Sequence, residues 1–468
     1  MRVLKNLNPE RVFYFFEELC AMPHGSGNTA QISEYCYRFA KERGFSCRRD
    51  EKGNVIIKKP ASKGKEQSPA VILQGHLDMV CEKTEDCKTD MEKEGIALKT
   101  DGEFVFADRT TLGGDNGIAV AMIMAILEDD TAAHPDIVAL FTTDEETGMF
   151  GAEAVDMSDF GSNMLINIDS EEEGVLTVSC AGGARARFCF PVSFEKNTDD
   201  AYKIKIEGLK GGHSGVEIDK GGQNANILMG KLLGALPDIK IATIAGGLKD
   251  NAIPASCECI VCGKNPADVA EKFVTDNKIP TDEGLKITVT PSTATECFTR
   301  EATETIIEFL NTVKNGIMTM SEDIEGLVQT SLNLGILKTE KDSVLASFAV
   351  RSSRLSERAE LIADLEATAK KLGGEFSADS FYPAWEYKKD SYLRDTMCRV
   401  WEGLYKKPAE VSAIHAGLEC GLFCEKIEGL DAVSMGPDMF DVHTPRERLS
   451  IASTERVYKY LREVLAAL

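Results

Sequence analysis

The chain has 468 residues, of which 43% are hydrophobic, and it carries a formal net charge of −23 at pH 7. This length exceeds what a single core usually holds, so we expect two domains. The negative charge disfavours binding to nucleic acids and to anionic membranes, since both require a basic surface. The N-terminal residues lack the apolar segment of a signal peptide, and no stretch has the roughly 18 apolar residues of a membrane span.

The cysteines of the chain are numerous but scattered. There are 14 of them, and without a signal peptide they predict free thiols in a reducing cytoplasm. Cys257, Cys259 and Cys262 lie close together, yet they occupy a strand-like run without a second CxxC motif. A zinc knuckle is therefore disfavoured at these residues.

The first third of the chain alternates between predicted helices and apolar strands. Helices are predicted after Asn8 and over residues 118–127. Continuous apolar strands are predicted at residues 70–74, 137–141 and 164–168. This alternation predicts an α/β fold in which a mixed, mostly parallel sheet is flanked by helices.

The composition changes after Gly183, which indicates a second domain. Residues 202–207 alternate like a half-exposed strand, and further strands and helices follow before the chain returns to the first domain. We therefore predict a discontinuous first domain of residues 1–184 and 388–468. An α+β domain of residues 185–387 would be inserted in it.

Polar side chains follow the apolar strands of the first domain at the points where the strands end. They are His76 and Asp78 after the first strand, Glu145 and Glu146 after the second, and Asp169 after the third; Asp115 precedes the apolar helix. An isolated run of acidic residues is most often a solvated surface loop. Ligand sites of open α/β sheets, however, lie at the carboxyl ends of the strands. Ligand-type residues at several strand ends therefore favour a bound cation.

The mixture of imidazole and carboxylate groups indicates which cations fit. Zinc, cobalt and manganese accept such ligands, whereas calcium prefers oxygen atoms alone. With a late histidine added, the candidate ligands are His76, Asp115, Glu146, Asp169 and His443. This set exceeds the needs of one catalytic zinc that keeps an open position, and it fits two metals bridged by a carboxylate and a water.

The adjacent glutamates after the second strand can have different functions. Neighbouring side chains of an extended segment point in different directions, so Glu146 can bind a metal while Glu145 faces the bridging water. A metal lowers the pKa of bound water to about 7, and an unligated glutamate can accept its proton. This chemistry hydrolyses amides.

Several motifs resemble, in the same order, those of the co-catalytic di-zinc peptidases related to aminoacylase, carnosinase and glutamate carboxypeptidase. They are QGHLDMV, GGDNG, TTDEETGM, NIDSEEEG, GGHSG, HAGLECG and DVHTPRE. The similarity spans nearly the whole chain and is greatest to the dipeptidase branch of that family. It implies hydrolysis of unblocked dipeptides, including Xaa-His and β-alanyl-histidine substrates, with two Zn²⁺ per chain and Co²⁺ or Mn²⁺ as possible substitutes.

The resemblance also implies how the candidate ligands are shared. Asp115 would bridge the two metals. His76 and Asp169 would complete one metal site, and Glu146 and His443 the other. The first domain would therefore be the catalytic domain, and residues 185–387 would form a lid or dimerisation domain through which a homodimer is possible.

Other residues match the family's catalytic and substrate-binding positions. Glu145 would be the general base and acid, and Asp78 would orient His76. His213 would stabilise the oxyanion, from the same chain or from a partner subunit. Arg351 would hold the C-terminal carboxylate of the substrate. Asn251 and Gly436 are further candidates for the substrate pocket.

His415 and Glu419 lie four residues apart on a predicted helix. This spacing can mean metal ligands, but the ligand set is already complete without them. A pair that supports or lines the substrate pocket and a purely structural pair are equally consistent with the sequence. We include both residues among the candidate substrate-binding residues.

Two alternative functions use the same motifs. An N-acyl amino acid amidohydrolase would use the same metals on a substrate without a free amine. A non-catalytic metal-binding or peptide-binding protein could share the fold, but Glu145 would have no use in binding alone. The prediction is therefore a cytoplasmic dipeptidase that binds neither nucleic acids nor membranes.

Overall fold

The computed structural model of the chain describes residues 2–468. Its helices, numbered in chain order, are α1 Glu10–Cys20, α2 Ala30–Glu42, α3 Gly114–Glu128, α4 Phe150–Ala154, α5 Ala225–Ala235, α6 Ala267–Asn277, α7 Arg300–Thr312, α8 Leu355–Lys371, α9 Tyr392–Tyr405, α10 Glu419–Lys426 and α11 Ile451–Ala467. Within this described part of the chain, no helix is both long enough and apolar enough to cross a membrane.

The strands are numbered in the same way. They are β1 Ser46–Arg49, β2 Val55–Lys59, β3 Val71–His76, β4 Leu98–Thr100, β5 Phe104–Ala107, β6 Ile137–Thr142, β7 Met164–Asn167, β8 Val175–Cys180, β9 Gly182–Pro191, β10 Phe194–Lys196, β11 Ala201–Glu207, β12 Gly212–His213, β13 Lys240–Gly246, β14 Ala252–Ile253, β15 Cys257–Cys262, β16 Lys286–Ser292, β17 Glu296–Phe298, β18 Gly316–Met320, β19 Val328–Thr339, β20 Ser343–Ser352, β21 Glu375–Tyr382, β22 Glu410–Ile414, β23 Asp431–Ser434, β24 Met439–Phe440 and β25 Arg448–Ser450.

The chain divides into two compact units. The first contains the described residues up to Ser179, together with Tyr387–Ala413 and Leu418–Leu468. The second contains Cys180–Glu386 and Ile414–Gly417. The units differ from the predicted domains at residues 180–184 and Ile414–Gly417, which the prediction assigned to the first domain, and at Tyr387, which it assigned to the second. The catalytic role of the first unit and the lid or dimerisation role of the second stay predictions.

The first unit is built on a sheet with the strand order β1-β2-β6-β3-β7-β23-β8-β22. Its central strands are parallel, since β3 pairs in parallel with β6 and β7, and β23 pairs in parallel with β7. Each residue of β3, β6 and β7 is buried, as expected for strands that helices cover on both faces. Helix α3 packs against β3 and α1, and its residues from Gly117 to Leu127 are all buried.

The second unit is an antiparallel sheet with helices. The strand order is β16-β11-β15-β13-β19-β20-β9-β21, and β18 pairs with β19. The core lies between these strands and helices α5, α7 and α8. Phe188 and Phe309 pack at its centre with their ring centroids 4.9 Å apart.

The predicted fold class is confirmed: the chain is α/β with a mixed, mostly parallel central sheet and flanking helices. One local prediction is wrong. His415 does not lie on a helix with Glu419, because β22 continues to Ile414 and α10 begins only at Glu419. Leu418 before the helix is extended, with φ −136° and ψ 157°, so the spacing of four residues is not a helical turn.

Candidate active site

The parallel strands of the first unit bring the predicted ligands to one sheet edge. His76 is the last residue of β3, Glu146 follows the neighbouring strand β6, and Asp169 follows β7 on the other side. Asp115 lies in the first turn of α3, and His443 lies in the loop between β24 and β25. Strands that run in parallel must end at a common edge, which explains why residues distant in sequence meet here.

Asp115 lies between two groups of these side chains. Its Oδ1 is 3.0 Å from His76 Nε2, and its Oδ2 is 3.2 Å from His443 Nε2. His76 Nε2 is also 3.3 Å from Asp169 Oδ1, and His443 Nε2 is 3.0 Å from Glu146 Oε1. The two oxygens of one carboxylate therefore face different imidazoles, each with a second carboxylate beside it.

This donor set fits two small divalent cations. Zinc binds nitrogen and oxygen at about 2.0–2.1 Å in a tetrahedron, which places neighbouring ligand atoms roughly 3.3 Å apart. The contacts of 3.0–3.3 Å within each group are close to that spacing. Ligand atoms of His76, Asp115 and Glu146 also lie within 4.8 Å of one another. A carboxylate that contacts both groups is what a bridged pair of metals requires.

The protonation of the cluster follows from its charges. Hydrogen bonds to Asp115 and Glu146 raise the pKa of His443 to about 10. Burial would lower the pKa of His76, but Asp169, Asp115 and Asp78 outweigh burial and raise it well above its usual value. Cations bound between these groups would take the place of the imidazole protons, since metal binding releases protons from its ligands.

Asp78 fixes the segment that carries the paired glutamates. Its Oδ1 accepts a hydrogen bond from the Glu145 N–H at 3.0 Å, and its Oδ2 accepts one from the Glu146 N–H at 3.3 Å. The Ser26 hydroxyl donates to the same Oδ2 at 2.8 Å. His76 Nδ1 lies 3.5 Å from Asp78 Oδ1 and 3.0 Å from the Asp78 carbonyl oxygen. The buried Asp78 thus contacts both the predicted ligand His76 and the backbone of the predicted base.

Glu145 and Asp169 are carboxyl groups whose burial favours the protonated form. Burial, together with neighbouring acidic groups, raises the pKa of Glu145 to about 9. The same effect raises the pKa of Asp169 to about 6. A general base at this position therefore depends on nearby positive charge to become ionised.

Sequence reasoning missed the role of Asn116. Its side-chain oxygen accepts a hydrogen bond from the His76 N–H at 3.1 Å, and its Nδ2 donates to the Ile168 carbonyl at 2.7 Å. Asn116 thereby links the ends of β3 and β7, each next to a predicted ligand. Its position directly after Asp115 was the available signal.

Glu419 and Gly436 lie in the first unit. Glu419 is buried, and its Oε2 accepts hydrogen bonds from Gln74 Nε2 at 2.6 Å and from Thr142 Oγ1 at 3.1 Å. Both donors lie on strands that end at the ligand edge. A Cβ atom on Gly436 would come within 1.6 Å of the Ser170 carbonyl oxygen, so any side chain is excluded beside Asp169.

The second unit contains the predicted residue Arg351, which is only 7% exposed. Its Nη1 donates to the Tyr382 hydroxyl at 2.9 Å, and its Nη2 lies 3.5 Å from His213 Nε2. Its Nε has no hydrogen-bond partner within residues 2–468, and none of the ion pairs in that range includes this guanidinium. Burial and the Arg351 charge lower the pKa of His213. Arg351 is thus a nearly buried cation beside neutral groups.

Carboxylates fix the segment that carries His213, which forms the short strand β12 with Gly212. The His213 N–H donates to Glu217 Oε2 at 2.7 Å. Asp282, which is buried, accepts hydrogen bonds from the N–H groups of Lys210 and Gln223, each at 2.7 Å. These contacts hold the glycine-rich segment on both sides of the histidine.

His415 and Asn251 also belong to the second unit. His415 Nε2 lies 2.7 Å from the Ser331 hydroxyl, and Ser331 pairs with Arg351 across β19 and β20. Burial and the Arg351 charge lower the pKa of His415 to about 4, so this imidazole is neutral. Asn251, Arg351 and Tyr382 line one cavity of about 210 Å³.

Comparison with known proteins identifies the class. Residues 72–467 match the family described as Peptidase family M20/M25/M40. Because this match covers more than half of the chain, the chain belongs to that family, and the resemblance predicted from its motifs is confirmed.

Two full-length relatives are dipeptidases. The chain is 34% identical over 484 aligned residues to the cytosol non-specific dipeptidase of Escherichia coli, with 99% of each chain covered. It is also 34% identical to the crystal structure of aminoacylhistidine dipeptidase from Vibrio alginolyticus, with a TM-score of 0.94 and coverage of 99% of this chain and 98% of that one. A tripeptidase from Staphylococcus aureus has the same fold, at 15% identity and a TM-score of 0.56, with 98% of each chain covered. The chain is thus an enzyme of a peptidase family and has dipeptidases as full-length relatives.

Proposed function

We propose that the chain hydrolyses the peptide bond of unblocked dipeptides with the help of two divalent cations. The observation that carries this proposal is the position of Asp115, whose two oxygens contact His76 and His443 separately. Asp169 would complete the first cation site and Glu146 the second. Zinc fits this donor set best, and cobalt or manganese would be substitutes.

The two cations, when bound, would polarise the peptide carbonyl and make a water molecule more acidic. Glu145 would accept the proton of that water and return it to the leaving amine. Asp78 supports this role, because it holds the backbone N–H groups of both Glu145 and Glu146 and so fixes the segment that carries them. This segment is a turn and not the extended segment that the sequence predicted, since the N–H groups of Gly148 and Met149 donate hydrogen bonds to the Glu145 carbonyl. Positive charge between the carboxylates would also lower the pKa of Glu145 from its raised value.

Arg351 would bind the C-terminal carboxylate of the dipeptide. A buried guanidinium without an anionic partner is costly, and a carboxylate can satisfy it with two parallel hydrogen bonds. Tyr382 contacts one terminal nitrogen of this guanidinium, and Nε has no partner in the described part of the chain. His213, whose imidazole is neutral, would donate a hydrogen bond to the oxyanion.

The other four candidate substrate-binding residues are supported by different contacts. Asn251 shares a cavity with Arg351, which supports a contact with the substrate. His415 contacts Ser331 beside Arg351 and would support that guanidinium. Glu419 lies beneath the ligand edge and would support Thr142 and Gln74 there. Gly436 would allow close approach beside Asp169.

The names of the relatives support further details. The Vibrio alginolyticus relative is named for aminoacyl-histidine substrates, which supports dipeptides with C-terminal histidine as substrates of this chain. The Escherichia coli relative is named as a cytosol enzyme, which supports a cytoplasmic location. The second unit would carry the contacts of a homodimer, and the mass of the protein in solution, measured by light scattering, tests that assignment.

A substrate panel tests the proposed function. Free dipeptides, the same dipeptides with an N-acetyl group, and the metal content of the purified protein are measured together. We expect hydrolysis of free dipeptides, little hydrolysis of acetylated ones, and close to two metal equivalents per chain. Preferential hydrolysis of the acetylated substrates would identify an amidohydrolase, and metal binding without hydrolysis of either would identify a binding protein.

A further inference from the structure

We propose that Glu447 is a positioning residue that holds the bridging carboxylate Asp115 in place. Its Oε2 accepts hydrogen bonds from the N–H groups of Leu112 at 2.8 Å and Gly113 at 3.3 Å. Its Oε1 accepts hydrogen bonds from the N–H groups of Gly114 at 2.8 Å and Asp115 at 3.4 Å. One carboxylate thus binds the amides of four consecutive residues, the last of which is Asp115 itself.

Glu447 is not a solvated surface residue, because its side chain is buried. The residue is only 3% exposed, although it carries a carboxylate. A buried carboxylate is costly unless its oxygens are hydrogen-bonded, and here the backbone supplies the donors. The amides are those that precede and open α3, where a helix leaves its first N–H groups without partners inside the helix. Glu447 therefore satisfies the helix start and fixes its position at the same time.

The backbone at this point needs such support. Gly113 has φ +71°, a left-handed conformation that glycine adopts at little cost. A residue with a Cβ atom would be strained at this positive φ, and its Cβ would also lie 2.8 Å from Met79 Sδ and 3.1 Å from His24 Nε2. Asp115 and Asn116 depart from helical geometry inside α3. Hydrogen bonds inside the helix do not fix this segment, which leads to the proposed bridging ligand, so an external group that binds its N–H groups holds it in position.

Glu447 also connects the two sides of the cluster along the chain. It lies four residues after His443, and its N–H donates to the Thr444 carbonyl at 3.0 Å in the tight turn between them. The segment 443–447 thus supplies one imidazole to Asp115 Oδ2 and one carboxylate to the Asp115 backbone. Displacement of Glu447 would move Asp115 relative to both His76 and His443.

Two variants distinguish the positioning of Asp115 from a general electrostatic effect on Zn²⁺ binding. Glu447→Asp keeps the negative charge but shortens the side chain by one methylene, so it cannot reach all of these amides. Glu171→Gln is the matched control: Glu171 is exposed and interacts electrostatically with Asp115 and Asp169, but it does not contact the backbone of residues 112–115. Burial and the charges of Asp115 and Asp169 raise the pKa of Glu171 to about 7, so Glu171→Gln removes an ionisable carboxyl group near the cluster and leaves the segment in place. Zn²⁺ binding is measured by competition with a chromophoric chelator on metal-stripped, folded protein.

We expect Glu447→Asp to weaken Zn²⁺ binding by about 10–100-fold, the usual effect of losing a group that orients a metal ligand. The affinity for both zinc equivalents should fall, because Asp115 would be a ligand of both ions. Glu171→Gln should weaken Zn²⁺ binding by less than about fivefold, as is typical for exposed charges. A Glu447→Asp protein that is less stable to heat, yet binds Zn²⁺ with wild-type affinity, would show that Glu447 serves the fold alone.

This inference rests on the proposed function, but the two can fail separately. If the wild-type protein binds no divalent metal, the proposed function is wrong. If the wild type binds two equivalents and both Glu447→Asp and Glu447→Gln bind them equally well, only the positioning role is wrong. The second Glu447 variant covers the case in which Glu447→Asp does not fold. Glu447→Gln retains the length of the side chain but presents its amide group to two N–H donors.

Discussion

The candidate residues of the two units form clusters with opposite electrostatic needs. In the first unit, Asp115, Glu146 and Asp169 converge on two imidazoles whose pKa values are raised. In the second unit, Arg351 is nearly buried beside His213 and His415, whose pKa values are lowered. One cluster therefore has negative charge to balance, and the other has positive charge to balance.

The difference shows that the unbalanced charge of each cluster determines the sign of the ligand that would stabilise it. Buried charge that the protein does not pair is unfavourable, and a ligand of the opposite sign removes the cost. Under the proposed function, the first cluster would select cations that imidazole and carboxylate ligands can hold. The second would select an anion that a guanidinium can hold. Histidine takes part in both, and its pKa follows the sign of its neighbours.

The largest expected effect is that of Glu145→Gln. Glutamine keeps the size of the side chain but cannot accept a proton, so turnover should fall by about 10²–10⁴-fold with both metals retained. Glu146→Gln is the control, because the adjacent position should lose affinity for one metal, and added zinc should partly restore its activity. Steady-state kinetics and metal analysis measure the two effects. Near wild-type turnover in a fully metallated Glu145→Gln protein would contradict the proposed mechanism.

Arg351→Ala should have the next largest effect. Loss of a hydrogen-bonded charge typically costs about 1.5–3 kcal/mol, so kcat/KM for free dipeptides should fall roughly 10–100-fold. Dipeptides with a C-terminal amide should lose much less, because they offer no carboxylate. Arg185→Ala is the matched control: Arg185 lines the same cavity but is already paired with Asp250. Equal losses on both kinds of substrate would assign Arg351 a structural role.

Tyr382→Phe should have the smallest effect, and it tests whether Tyr382 supports substrate binding through Arg351. It removes the hydroxyl that accepts a hydrogen bond from Arg351 Nη1 and leaves the ring in place. One neutral hydrogen bond contributes about 0.5–1.5 kcal/mol, so kcat/KM should fall by roughly 2–10-fold through KM, with kcat nearly unchanged. A fall in kcat alone would mean that Tyr382 does not act through substrate binding.

The sequence by itself was sufficient for the fold class and for the edge at which the ligand candidates meet. Apolar strands such as residues 137–141 can be recognised locally, and parallel strands must end at one edge. His76, Glu146 and Asp169 could therefore be grouped without coordinates. The different functions predicted for Glu145 and Glu146 came from the alternation of side chains in an extended segment. The division of the five candidate ligands between two metals depended on the resemblance of motifs, since a distant loop such as that of His443 carries no local sign of where it packs.

The tertiary structure decided which groups hold those residues in place. Glu447 binds amides more than 330 residues earlier in the chain, and Asp282 binds the N–H groups of Lys210 and Gln223, which precede it by 72 and 59 residues. A carboxylate that accepts from backbone amides needs no particular partner residue, so it leaves no pattern in the sequence. His415 and Glu419 illustrate the same limit: a spacing of four predicts a helical pair, but strand β22 continues to Ile414 and assigns the two residues to different units. Local periodicity specifies elements, whereas contacts between distant segments exist only once the chain has folded.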